Sequence, residues 1–193
     1  FLNIDNQRKI QKRLKKFKEF NRNINFSKYK INKKNVSNKI NKTYDLFFTG
    51  SDQVWNPNFG RMSNIDFLTF APKEKRNSFS ASFGIDKIPN NMKEYYRKNL
   101  TDIKHISVRE DKGKEIVEEL TGRKDVEVLL DPTMLLTAEE WDKVSKKPKQ
   151  LKFNKYILNY FLGELSEERK KEINRLAKEN QCEIINILDQ NSP

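Results

Sequence analysis

The stretch Leu46-Phe47-Phe48-Thr49-Gly50-Ser51-Asp52-Gln53-Val54-Trp55 joins a short apolar run to a turn of small, acidic and amide side chains. Leu46 to Phe48 reads as a buried strand. A glycine just after it lets the backbone turn and lets a ligand come close, which puts the Asp52 carboxylate at the carboxyl end of a strand. In an α/β sheet that is the end where ligands bind.

The same punctuation recurs downstream. Ser78 to Phe83 alternates serine with Phe and Ala before Gly84, which predicts a second strand ending in a glycine turn. Asn91 to Lys98 reads as a helix. His105 to Val108 is short and apolar at Ile106 and Val108, and Glu110 to Thr121 places Ile116, Val117 and Leu120 on one helical face, with Gly122 set to stop it. Val126 to Leu130 makes a further strand, closed by Asp131-Pro132, which reads as fixing the strand's exit, with lining a ligand cleft as its alternative. Ala138 to Ser145 gives a short helix around Trp141.

Lys146-Lys147-Pro148-Lys149-Gln150 has the composition of a domain boundary. Beyond it Tyr156 to Leu162 is a strongly apolar strand ending at Gly163. Ser166 caps a helix with Glu167 and Glu168 in its first turn and Ile173, Leu176 and Ala177 on its inner face, and a strand runs from Ile184 to Leu188. Strand and helix alternate, and the strands are nearly all apolar. The fold class is therefore α/β, with Rossmann-like parallel sheets covered on both faces.

A chain of 193 residues can bury a real core, and its 13 Phe, 6 Tyr and 2 Trp argue against wholesale disorder despite 34% charged residues. The formal charge of +12 is unevenly placed. Residues 1–44 hold 14 Lys/Arg against 2 Asp/Glu, and the remaining 149 hold 25 of each sign. Residues 6–22 read as an amphipathic helix, with Ile10, Leu14, Phe17 and Phe20 at helical spacing among Arg8, Lys9, Lys12, Arg13, Lys15, Lys16 and Lys18. Residues 23–43 read as a solvated connection. Such a segment is either a solvated helix face, or a binder of an anionic membrane surface or of phosphate backbones. No nucleic-acid motif accompanies it, so nucleic acid is disfavoured as a partner.

Cys182 is the single cysteine, which excludes an internal disulfide and a Cys-rich zinc site and suits a reducing compartment. Its strand-like surroundings predict a buried, inert thiol. No apolar stretch approaches the ~20 residues that span a bilayer, there is no secretory signal pattern, and no metal-ligand spacing is visible. A cytoplasmic protein is expected, with peripheral contact to the cytoplasmic face of a membrane as a further expectation. The chain opens on Phe1 and stops at Pro193, just after a strand-like run, which is the pattern of a fragment.

Five motifs in order, Gly50-Ser51-Asp52-Gln53-Val54-Trp55-Asn56-Pro57, Ser80-Ala81-Ser82-Phe83-Gly84, Ile106-Ser107-Val108-Arg109-Glu110, Leu130-Asp131-Pro132-Thr133-Met134-Leu135-Leu136 and Tyr156 to Gly163, resemble the polysaccharide pyruvyl transferase family over about residues 44 to 188. The resemblance implies a GT-B-like enzyme with two Rossmann-like halves facing a cleft. Residues 1–43 are then a basic helical and linker segment, 44–147 most of the first half, and 151–193 the start of the second. The family's opening strand and its Asn-Tyr-Gly-like segment are not found in this sequence.

The activity implied is transfer of the enolpyruvyl group of phosphoenolpyruvate to two hydroxyls of a sugar, on a lipid-linked or nucleotide-linked precursor of a surface polysaccharide. The product is a cyclic pyruvate ketal. Phosphoenolpyruvate is the donor substrate, and no cofactor or metal is implied. The donor carries a carboxylate and a phosphate, about −3 at neutral pH, and must be held by cations and backbone N–H groups.

Arg109, between a strand and a helix, is the local candidate, and its alternative is an ion pair with Glu110 or Asp111. Asp52 is the candidate catalytic base; it alternatively orients the sugar, or caps its own turn. Gly50, Ser51 and Gln53 are candidate substrate contacts, and Trp55 is either a platform for a pyranose or core. Ser80, Ser82 and Gly84 either make room for ligand and supply hydroxyls and N–H groups, or let a helix pack tightly. His105, the one histidine, is a candidate acid by residue type, but it lies at the start of its strand, away from the carboxyl end, and reads rather as a buried or surface-bonded imidazole.

By the resemblance, a catalytic histidine and a further arginine belong to the second half, beyond Pro193, so that this piece alone turns over nothing. The alternatives are a carbohydrate-binding or scaffolding relative that lost the chemistry, and a glycosyltransferase-like enzyme.

Overall fold

The computed structural model describes residues 4–32, 36, 37, 39–60, 62–148, 151–161 and 163–187, with the backbone alone for residues 4–9. The Arg8 and Lys9 side chains, Lys149, Gln150, Leu162 and Leu188, all named in the expectations above, lie outside the described residues. The chain divides into two compact units, Phe1–Leu136 and Thr137–Pro193.

Four short strands frame the first unit: β1 (Phe47–Thr49), β2 (Arg76–Ser78), β3 (Ser107–Val108) and β4 (Glu127–Val128). β1 pairs parallel with β2, Phe47 opposite Arg76 and Thr49 opposite Ser78, and β3 pairs parallel with β4. Two single parallel bridges, Asn77 to His105 and Ala81 to Val108, join the pairs in the order β1-β2-β3-β4. Because all four run the same way, their carboxyl ends share one rim.

The unit's two longer downstream helices follow from their apolar faces. α3 (Lys93–Thr101) buries Tyr96 and Leu100 against α4 (Asp111–Thr121), which buries Ile116, Val117 and Leu120. α4 ends at Gly122, whose φ of +75° closes the last turn with its N–H donating to the Glu118 carbonyl. At Gly113 a Cβ would stand 3.3 Å from that of Val108, so the missing side chain lets α4 lie close on β3. The core is aromatic at its centre: the Trp55 ring stacks on Phe67 at 5.7 Å, and both Phe67 and Phe83 contact the Tyr96 ring.

The leading segment forms α1 (Ile4–Asn21) and a one-turn α2 (Ile40–Thr43). The reading of 23–43 as a wholly solvated connection is corrected: Tyr29, Val36 and Ile40 pack with Phe47, Leu68, Phe70 and Ala71 in a second apolar cluster. No helix among the described residues is long and apolar enough to cross a membrane.

The second unit holds α5 (Ala138–Val144), α6 (Glu167–Glu179) and a parallel pair, β5 (Tyr156–Tyr160) with β6 (Glu183–Ile187). α5 opens with a capping box between Thr137 and Glu140, and the Ser166 hydroxyl accepts from the Arg169 N–H to cap α6.

The α/β class stands, with every described strand pair parallel. Coverage on both faces does not hold in the second unit, where Leu158 and Tyr160 are exposed; Ala177 is the one buried residue of α6. The second strand was expected at Ser78 to Phe83 and instead ends at Ser78. Ser80 takes a φ of +48° there, which breaks the ladder before Ala81 rejoins β3 by its bridge. Cys182 is half-buried and precedes β6, rather than buried within a strand.

Candidate functional site

Each strand of the first unit delivers one short segment to the shared rim. Gly50 follows β1, with φ +139° and a position where a Cβ would overlap the Phe79 carbonyl. Only glycine fits that backbone and that contact. The turn that follows lies against the second segment through two hydrogen bonds, from the Ser82 N–H to the Asp52 carbonyl and from the Trp55 N–H to the Ser82 carbonyl.

Asp52 itself has φ +29° and its side chain is 80% exposed. Among the described residues its one polar neighbour within ion-pair range is Arg109, Oδ1 to Nη2 3.8 Å, so the carboxylate does not cap its own turn. Arg109 follows β3, its N–H donating to the Ala81 carbonyl, and its side chain is about one-quarter exposed. Its guanidinium also donates from Nε to Glu110 Oε1 at 3.0 Å and from Nη1 to Asp131 Oδ2 at 3.1 Å. Partial burial alone pulls its pKa down, and the hydrogen bonds to Glu110 and Asp131 outweigh that and raise it. Glu110, turned to Arg109, makes no side-chain cap for α4.

The junction of the site is Asp131, after β4. Oδ2 accepts from Ser51 Oγ at 3.0 Å as well as from Arg109, and Oδ1 accepts from the Thr133 N–H and hydroxyl. The Thr133 backbone N–H and then its hydroxyl, with help from Arg109 and Ser51, hold this carboxyl far below its usual range, at about 2. Asp131 thus ties the ends of β1, β3 and β4 together. Sequence reasoning took it as fixing the strand exit, with lining the cleft as its alternative; the Thr133 bonds do the first, and the Arg109 and Ser51 bonds add a role at the rim.

On the other flank of the 50–54 turn lies a cavity of about 480 Å³. Asp52, Gln53, Asn56, Ser63 and Asp66 give it polar groups, and Val54, Met62 and Ile65 an apolar floor. Gln53 is held by its Oε1, which accepts from Asn56 Nδ2 at 2.5 Å, and a Cβ on Gly84 would overlap that same amide. Gly84 is therefore small to make room for Gln53.

Three candidates are corrected. Trp55 is 0% exposed, stacked on Phe67 with its indole N–H donating to the Asp66 carbonyl, so it offers no face to a sugar. Ser80 and Ser82 are equally buried. The Ser80 hydroxyl donates to the Leu130 carbonyl at 2.6 Å, and Ser82 Oγ has no hydrogen-bond partner among the described residues. Ser78, Ser80 and Ser107 form a hydroxyl lattice between β2 and β3 instead: Ser78 Oγ donates to the Ser107 carbonyl, Ser107 Oγ to the Ser78 carbonyl, and the Ser80 N–H to Ser107 Oγ. His105 is exposed at the amino end of β3, four residues from Arg109.

The structure therefore brings together Gly50, Ser51, Asp52, Gln53, Gly84 and Arg109, and adds Glu110 and Asp131. The cluster pairs one guanidinium with three carboxylates. Among the described residues no group of three or more His, Cys, Asp or Glu side chains is arranged to hold a metal ion.

No curated protein and no solved structure shows a significant match to the chain. The family model for polysaccharide pyruvyl transferase matches residues 3–191, nearly the whole sequence, and all of the rim segments fall inside it. With that match, the chain belongs to the polysaccharide pyruvyl transferase family.

Proposed function

We propose that the rim of the first unit is the donor and acceptor wall of an enzyme that moves the pyruvyl group of phosphoenolpyruvate onto a sugar. The sugar belongs to a surface polysaccharide or its lipid-linked or nucleotide-linked precursor, on the cytoplasmic side. Family membership carries the general activity, a polysaccharide pyruvyl transferase with a glycan substrate. The observation that carries the finer reading is the placement of Asp52 Oδ1 3.8 Å from Arg109 Nη2, on a turn that also lines the 480 Å³ cavity.

In this reading the sugar occupies the cavity, with one hydroxyl at Asp52, and Arg109 grips an anionic group of the donor. The hydroxyl oxygen bonds to the central carbon of the enolpyruvyl group while Asp52 takes its proton, and the methylene carbon takes a proton from an acid. The second hydroxyl then replaces phosphate at the same carbon; phosphate leaves with the electron pair of its C–O bond, and the hydroxyl proton passes to water. Asp131 and Glu110 orient the guanidinium without touching substrate. Three carboxylates around one arginine leave the site net negative, so a donor of about −3 requires cations from elsewhere. By the family resemblance, a catalytic histidine and a further arginine are the candidates.

The experiment is to mix the full-length protein with phosphoenolpyruvate and candidate sugar precursors and follow phosphate release. Release dependent on a sugar is expected. Binding of glycan with no release from any acceptor would instead favour a carbohydrate-binding relative that has lost the chemistry.

A further inference from the structure

α1 carries seven Lys/Arg against Asp5 and Glu19. At about 100° per residue, Ile10, Leu14, Phe17 and Phe20 fall within an arc of roughly 120°, with Lys16 beyond one edge, Lys18 beyond the other and Arg13 inside it. These four apolar side chains are left 44%, 44%, 59% and 62% exposed. A phenylalanine stripe that open to water calls for a partner.

The charge around the stripe selects the partner's chemistry. A nucleic-acid backbone would satisfy the lysines and leave the rings in water. A second copy would cover the rings but set seven like charges against seven. A lipid surface with anionic headgroups does both, taking the rings to the acyl boundary while the long basic side chains reach outward to phosphates. We propose that α1 lies in the plane of an anionic lipid surface and holds the first unit there.

The helix is tethered to that unit. Tyr29, Val36 and Ile40 pack beside Phe47, Asn41 Nδ2 donates to the Phe70 carbonyl at 2.9 Å, and Lys75 Nζ donates to the carbonyls of Asn41 and Tyr44. The segment that follows α1 thus packs beside the strand that leads into the Asp52 turn. The inference rests on α1 alone and stands whatever reaction the rim performs.

Sedimentation of the full chain with vesicles tests it. Vesicles of phosphatidylcholine mixed with phosphatidylglycerol should retain the protein and pure phosphatidylcholine should not, with retention weakening as salt is raised. Phe17→Ser with Phe20→Ser should weaken partitioning by about tenfold or more. Lys15→Gln and Lys18→Gln should each cost about fivefold. Circular dichroism should show the variants folded, since none of these side chains is buried.

No retention by the mixed vesicles at low salt overturns the proposal. Retention untouched by the serine pair and competed away by duplex DNA overturns it in favour of a nucleic-acid surface. A solution dimer that dissociates in the serine pair, with no vesicle binding, overturns it in favour of contact between copies.

Discussion

Asp131 Oδ2 receives Arg109 Nη1 at 3.1 Å, a charged hydrogen bond across 22 residues that ties the end of β4 to the end of β3. The same oxygen receives Ser51 from β1. Replacing Asp131 by Asn keeps the shape and removes the charge. The Arg109 fork should then lose its orientation, and the KM for phosphoenolpyruvate should rise by about tenfold with a smaller change in kcat. A kcat loss with unchanged KM would argue against positioning.

Asp131 also predicts a pH dependence. Its carboxyl is held at about 2 against an ordinary 3.8, so the folded state favours the ionised form. The stability it supplies is fully present above about pH 4 and is lost as pH falls toward about 2. Urea midpoints of the natural protein and Asp131→Asn should differ at neutral pH and converge over that acid window.

Arg109→Ala should raise the phosphoenolpyruvate requirement far more than that for the sugar, by about tenfold to a hundredfold. Arg109→Lys should recover little of it, because a lysine cannot reach Glu110 and Asp131 in a planar fork. Steady-state kinetics with each substrate varied in turn separates the two effects; equal changes in both would return Arg109 to a purely structural ion pair.

Asp52→Asn should leave the melting temperature nearly unchanged, since the side chain is largely exposed and caps nothing. Turnover should fall by about a hundredfold or more if the carboxylate is the base. Full activity in the asparagine variant would remove Asp52 from the chemistry.

Ser82→Ala should leave stability unchanged or raise it by up to about 1 kcal/mol, because a buried hydroxyl without a partner is removed. Its activity should match the natural protein's. Trp55→Ala, by contrast, should cost roughly 3–5 kcal/mol through the hole left under Phe67. Thermal melts and phosphate-release rates on the two variants measure both.

The sequence was informative where one local pattern decides the outcome. A glycine after an apolar run marks the Gly50 turn, and an arginine between strand and helix marks the rim, so the positions of Asp52 and Arg109 are legible from local pattern. Asp131 was half legible: its bonds to Thr133 are local, while those to Arg109 and Ser51 join residues 22 and 80 apart. Trp55 carried no local sign of its burial, which is set by Phe67 and Tyr96 from other elements. Nor does any local pattern mark Arg76, which is buried with its guanidinium donating to the carbonyls of Thr69 and Ala71. The positive φ of Ser80 is invisible to a pattern of alternating residues.

In a sheet of two- and three-residue strands, backbone ladders are too short to seam the middle, and the hydroxyls of Ser78 and Ser107, the latter also accepting from the Ser80 N–H, do the stitching. Alanine at Ser78 or Ser107 therefore drops a stitch. The strand that carries Arg109 to the rim is thus held, in part, by two small buried alcohols.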